Sequence, residues 1–182
     1  MTQGGKCLVI DTDIARSAGG VDAQDERSKG CRDFLTAVRT SKHNVVSTEA
    51  ISEEWHKHRS KFSKIWLGSM YARRRVCHID APPDEELRGK IERATTNEKK
   101  RDAMLKDIHL VEAALQSDKV VISLDETVRG CFHETAPKLR VLGSVAWVNP
   151  CKSEEKPIDW LQNGAELEKE RLLGYSQRSS EG

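Results

Sequence analysis

The chain contains no Cys-x-x-Cys pair and no cysteine–histidine cluster, which excludes a zinc site of the usual spacing. Its five cysteines, Cys7, Cys31, Cys77, Cys131 and Cys151, are odd in number and scattered, so the expectation is free thiols in a reducing compartment. No apolar run approaches the roughly 20 residues that span a bilayer, and no basic segment leads into a long apolar stretch at the N-terminus. The expectation is therefore a cytoplasmic protein with no membrane partner. Neither sign of charge is in excess: 30 Lys and Arg face 29 Asp and Glu, a net charge of +1. Any basic surface must then be local. Internal repeats and low-complexity tracts are missing as well. At 182 residues the chain is long enough for one domain with a buried core, and too short for two full ones.

What is present begins with Cys-Leu-Val-Ile-Asp-Thr-Asp-Ile over residues 7–14, a short apolar run ending on Asp11 and Asp13. Such a run predicts a buried parallel strand whose carboxyl end opens onto a site. Either aspartate equally suits a helix N-cap. Residues 15–29, broken by Gly19-Gly20, read as a loop or lid, followed by a helix over 30–40 and a strand over 44–47. Ser47 or Thr48 can cap the next helix, predicted over 49–73 with Ile51, Trp55, Phe62, Ile65 and Trp66 on its apolar side. A short strand is expected over 76–79, a polar helix from Asp84 to about 94, and a longer helix over 98–116.

The segment Val-Val-Ile-Ser-Leu-Asp125-Glu126 repeats the opening pattern of an apolar strand running into a carboxylate. A helix over 126–134 and strand-like pieces at 138–142 and 145–148 follow. Strands alternating with helices predict an α/β domain with a mainly parallel sheet over residues 1–150. Residues 151–182 read as an extension with one short helix around Trp160 and Leu161, docked on the domain or a partner, and a disordered end.

Among the acids, Glu54 and Asp107 stand out because each borders the apolar face of its helix, where a carboxylate is costly to desolvate without compensation. Glu53, Asp102 and Glu112 read as solvated. Asp11 and Asp125 end neighbouring strands, so these two acids and the two helical ones would converge. Carboxylates about 4 Å apart repel by roughly 4 kcal/mol at an effective dielectric near 20, so such a cluster calls for protons or cations. All-oxygen donors favour Mg²⁺ or Mn²⁺.

This order of motifs resembles the PIN-domain nucleases over residues 6–150. The resemblance rests on Val-Ile-Asp11-Thr-Asp13, on Val-Val-Ser-Thr followed by helical Glu54-Trp55, on Asp107-Ile-His-Leu-Val-Glu-Ala-Ala-Leu, and on Val-Val-Ile-Ser-Leu-Asp125-Glu. It implies a three-layer α/β/α PIN-like fold and makes Asp11, Glu54, Asp107 and Asp125 the catalytic, metal-binding set. Ser123 matches the family's small hydroxyl residue, which would orient the last acid or a metal-bound water. Asp13 stands where the family often has asparagine, as support or an extra ligand. The resemblance also implies divalent-cation-dependent cleavage of RNA and frequent use as the toxin of a toxin–antitoxin pair; single-stranded DNA stays open as another substrate. An antitoxin or other protein partner, a role in phage defence and homo-oligomers all stay open.

The cations Lys57, Arg59, Lys61, Lys64, Arg73, Arg74 and Arg75, with Lys99, Lys100 and Arg101, form the runs expected of a phosphate-contacting rim. Residue by residue, solvated helix faces explain them equally well. His58 is placed to be a general acid or base, or simply a surface histidine. Two other functions compete. A phosphatase resembling the haloacid dehalogenase superfamily would use Asp11 and Asp13 as its Asp-x-Asp motif, but leaves Glu54 and Asp107 unexplained. A non-catalytic PIN-like module would keep the fold only to bind RNA or protein.

Overall fold

The computed structural model describes residues 4–177. In chain order its regular elements are β1 (Cys7–Ile10), α1 (Thr12–Ser17), α2 (Glu26–Thr40), β2 (Asn44–Ser47), α3 (Glu49–His58), α4 (Lys61–Ala72), β3 (Val76–His78), α5 (Glu85–Ala94), α6 (Glu98–Leu115), β4 (Val120–Ile122), α7 (Glu126–Thr135), β5 (Ala146–Val148) and α8 (Pro157–Gln162). The five strands are all parallel and ordered β3-β2-β1-β4-β5. Helices cover both faces of the sheet, giving the expected three-layer α/β/α arrangement. A parallel strand covered on both faces must be apolar throughout; Leu8, Val9, Ile10, Val120, Val121 and Ile122 are all fully buried.

Strand order also places the site. From β1 the chain moves outward through β2 and β3, then returns to the other side of β1 for β4 and β5. The connections leaving β1 and β4 therefore diverge, opening a crevice at their carboxyl ends. Asp11 follows β1 directly, and Ser123 and Asp125 follow β4.

Several expectations give way here. The segment after β1 is not merely a loop: Thr12 to Ser17 form α1, and α2 starts at Glu26, where Asp25 accepts a hydrogen bond from the Ser28 amide. The helix expected over 49–73 is two helices. Thr48 caps α3 through the Ile51 amide, Arg59 is extended, and Ser60 caps α4 through the Ser63 amide. The hydroxyls of Ser60 and Ser63 donate to the carbonyls of Ala18 and Ala15, so the break docks onto the end of α1. Restarting the helix resets its inward face to Ser63, Trp66 and Met70, which leaves Ile65 62% exposed.

Glu112, expected to be solvated, is buried; it accepts two hydrogen bonds from the Arg88 guanidinium and one from the Asp84 amide. Residues 138–142 form no strand, and 142–144 make a 3₁₀ turn leading into β5. Cys7 and Cys77 are disulfide-bonded and not free thiols, linking the two strands that flank β2 across 70 residues of sequence.

The chain after Pro150 packs into the same core. Trp160, Leu161, Ala165 and Leu173 are buried, and Leu172 bridges to Ala146 in β5. His43 fixes this packing: its Nδ1 accepts from the Lys6 amide, so Nε2 carries the proton that is donated to the Leu161 carbonyl at 2.8 Å. The end expected to be disordered, 176–182, lies largely outside the described residues. Among the described residues no helix is long and apolar enough to cross a membrane.

Arg75, expected on the nucleic-acid rim, is placed against backbone instead: its guanidinium donates to the carbonyls of Val38 and Arg39 in the last turn of α2 and of His43 just beyond it, so its donors are engaged at that helix end. A cation is favoured there by the unsatisfied helix carbonyls. Arg75→Ala should lower stability by about 1.5–3 kcal/mol, the range for charge-assisted hydrogen bonds, whereas exposed Arg73→Ala should stay within about 0.5 kcal/mol. Urea unfolding of the two variants checks this, and equal losses would contradict the assignment.

Candidate functional site

The crevice between the ends of β1 and β4 is a cavity of about 300 Å³ lined by Asp11, Asp13, Glu54, Asp107 and Asp125. All four acids of the expected set thus face one space, joined by Asp13. Each arrives on a different element: Asp11 at the end of β1, Asp13 in α1, Glu54 in α3, Asp107 in α6 and Asp125 at the start of α7.

Ser123 ties three of them together. Fully buried, its hydroxyl donates to Asp11 Oδ2 at 2.7 Å and accepts from the Asp125 amide at 3.1 Å. Asp13 Oδ2 is 3.3 Å from the same hydroxyl and accepts from the Leu124 amide at 3.0 Å. Ser123 therefore orients the first carboxylate and the backbone of the last, where the family resemblance implied the last acid itself. Register explains the meeting: Ile10 pairs with Ile122, so the next residues on both strands emerge side by side.

The capping alternative separates the strand-end acids. Asp125 does cap α7, with Oδ1 accepting from the Val128 amide. Asp11 stands at the N-cap position of α1 yet makes no side-chain cap, its carboxylate turning to Ser123. Among the described residues Asp13 Oδ1 is buried without a partner, an orphaned acceptor in a group of acids.

Glu54 is held more loosely. Its side chain is 45% exposed, accepts from the Thr12 hydroxyl at 3.3 Å, and lies 3.5 Å from His109 Nε2. His109 and Thr12 had no assigned role in the sequence; in space the Thr12 hydroxyl orients Glu54, and His109 lies beside it without a hydrogen bond to it among the described residues.

Electrostatics mark three of the acids, Asp11, Asp13 and Asp107, as stressed by burial and by neighbouring charge. Burial pushes Asp13 up to about 7, and the Asp11 charge adds to it. Asp107 is pushed up to about 6, first by burial and then by Asp11, with Asp125 contributing. Asp11 is raised by burial, with the Ser123 hydrogen bond acting against the rise. Among the described residues no three carboxyl, imidazole or thiol groups approach one point closely enough to hold an ion as they stand. Spread like charges are the expected arrangement when repulsion sets the spacing.

Cations also line the cavity, though not those the sequence singled out. Arg16, Arg27 and Lys106 reach it, with His58 beside them. Arg16 follows Thr12 by four residues on α1, and Lys106 adjoins Asp107; reading residues 12–17 as helix would have exposed the first. None of Lys57, Arg59, Lys61, Arg73, Arg74, Lys99, Lys100 or Arg101 lines the cavity. Lys100 pairs with Glu134 at 2.6 Å, and Arg101 lies near Glu98 and Asp102. Arg129 pairs with Glu155 and Glu126, which accounts for it without a phosphate.

A carboxyl raised in the folded state holds a proton that the unfolded chain has released, so its contribution to stability falls as pH rises from about 4 through 7. Asp13→Asn removes that penalty. In EDTA at pH 8 the variant should melt about 2–4 °C higher than the unsubstituted chain, with the difference shrinking as pH falls toward 4. Thermal unfolding across that range is the measurement, and a difference that grows on acidification would contradict the burial assignment.

No protein-family model matches the chain, and no curated protein matches it in sequence.

Proposed function

We propose that the chain is a PIN-like, divalent-cation-dependent ribonuclease whose centre is the cavity at the ends of β1 and β4. The observation that carries this reading is the arrival of Asp11, Glu54, Asp107 and Asp125 in one cavity from four separate elements. Folded domains are stable by only about 5–15 kcal/mol, so gathering like charges at a sheet edge needs a compensating reason. A hard cation is that reason. The donors are all oxygen, Asp13 Oδ1 is buried without a partner, and the carboxyls are raised in a way that a divalent charge would reverse.

Asp11, Glu54, Asp107 and Asp125 would hold Mg²⁺ or Mn²⁺, with Asp13 in support. Bound there, such an ion supplies Lewis-acid charge for phosphodiester hydrolysis by water. Ser123 keeps the Asp11 carboxylate pointed into the cavity, and the hydroxyl of Thr12 does the same for Glu54. Arg16, Arg27 and Lys106 bind the phosphate oxygens of a polyanion approaching over the acids; among the described residues none of the three is ion-paired with a carboxylate. The phosphatase alternative fits less well, because an Asp11 nucleophile would be buried and tied to Ser123.

Asp11→Asn and Asp125→Asn should each lower RNA cleavage in Mn²⁺ by about 100-fold or more, a barrier increase of about 2.7 kcal/mol. Both should stay folded: asparagine at 125 caps α7 as well as aspartate does, and at 11, which makes no side-chain cap, an amide oxygen can still accept from Ser123. Undiminished cleavage by both variants would reject the proposal. Cation roles separate by salt: for single-stranded RNA, Arg27→Ala and Lys106→Ala should each reduce the slope of log affinity against log salt by about 0.7, while Arg73→Ala should leave the slope unchanged. Filter binding over a range of KCl concentrations measures it.

A further inference from the structure

Cys31 and Cys151 are the only two free thiols in contact among the described residues. Their sulfurs lie 4.0 Å apart although 120 residues separate them along the chain. Cys31 is buried in α2, and Cys151 is exposed in the turn after β5. Gly30 is what lets them meet. A Cβ at that position would sit 2.9 Å from the Cys151 sulfur, so a glycine that weakens the helix leaves room for the thiol. The remaining free cysteine, Cys131, is buried in α7.

The two thiols are also unequal. The Cys31 hydrogen bond holds the Cys151 thiol down to about 7, with the Arg27 charge acting the same way. That same contact and burial push Cys31 up. An exposed thiolate backed by a buried thiol is the arrangement of an attacking and a resolving cysteine.

We propose that Cys151 and Cys31 form an oxidant-reactive dithiol, in which exposed Cys151 attacks a peroxide and buried Cys31 then closes a disulfide onto it. In the first step the Cys151 thiolate attacks one oxygen of hydrogen peroxide. An S–O bond forms, the O–O bond breaks, and the departing hydroxide takes a proton and leaves as water. In the second step the Cys31 sulfur attacks the Cys151 sulfur. The S–S bond forms, the S–O bond breaks, and the hydroxide that leaves takes up the Cys31 proton as a second water. Two thiols thus lose two electrons and two protons, and one peroxide becomes two waters. The sulfurs need to close by about 2 Å to bond. The product ties α2 to the point where the chain leaves the sheet for its C-terminal segment. The ribonuclease reading is not needed for any step.

The full chain treated at pH 7 with one equivalent of hydrogen peroxide, then mapped by mass spectrometry without reduction, tests this. A cross-linked peptide pair joining Cys31 and Cys151, lighter by two hydrogens, is expected. The Cys151 thiol, at about 7, is half ionised at that pH, while burial pushes the Cys131 thiol up, so Cys151 should react about fivefold or more faster than Cys131. Cys31→Ala should leave a sulfenic acid on Cys151 that dimedone traps, with no cross-link. Cys151→Ser, a change at an exposed site, should leave Cys31 reduced. The proposal is overturned if the unsubstituted chain keeps both thiols reduced while Cys131 oxidises, if Cys151 stops at sulfenic acid, or if only intermolecular disulfides form.

Discussion

At the ends of β1 and β4 the Asp11 charge raises both Asp13 and Asp107, and the rest of the molecule holds these carboxyls together regardless. The sheet supplies the force. Val9, Ile10, Val121 and Ile122 are buried from both sides in fixed parallel register, so Asp11 and Ser123 emerge adjacent with no freedom to slip. A slip of one residue would turn every strand side chain to the opposite face and expose the apolar run. Burial of the strands thus sets the position of the acids, and the Ser123 hydroxyl offsets part of the resulting stress by donating to Asp11.

Much of this was legible from residue order because parallel strands announce themselves twice. Val-Ile-Asp11 and Val-Val-Ile-Ser-Leu-Asp125 are strand-length, mainly apolar runs that lead directly into an acid. Glu54 and Asp107 were legible for a related reason: each borders the buried stripe of an amphipathic helix. Periodicity says which way a residue faces, and a polar residue at the edge of the inward stripe faces the sheet edge too.

Periodicity does not say where a long cation reaches, and there the sequence misleads. Arg75 sits in a row with Arg73 and Arg74, yet it alone folds back onto the carbonyls ending α2, a contact spanning 32 to 37 residues. Glu112 looked solvated because its partner Arg88 lies 24 residues away on another helix. The continuous helix over 49–73 failed for a different reason. Local propensity there is unbroken, and the interruption comes from Ser60 and Ser63 reaching carbonyls of α1, tertiary bonds that no local window contains.

The segment after Pro150 takes the same logic one step further. Its composition is charged and its only sizeable apolar residues are few, so it reads as an appendage, yet Trp160 and Leu161 complete the core beside α2 and Arg171 covers the Trp160 ring. Helix α2 is therefore gripped from two sides by distant chain: at its C-terminal end by Arg75, and along its length by α8 and the Cys151 turn. Arg27, which lines the acidic cavity, lies one turn before Cys31 on that same helix. Whatever holds α2 in place also holds this cation over the carboxylates, so the C-terminal segment shapes the site through packing without contributing an acid to it.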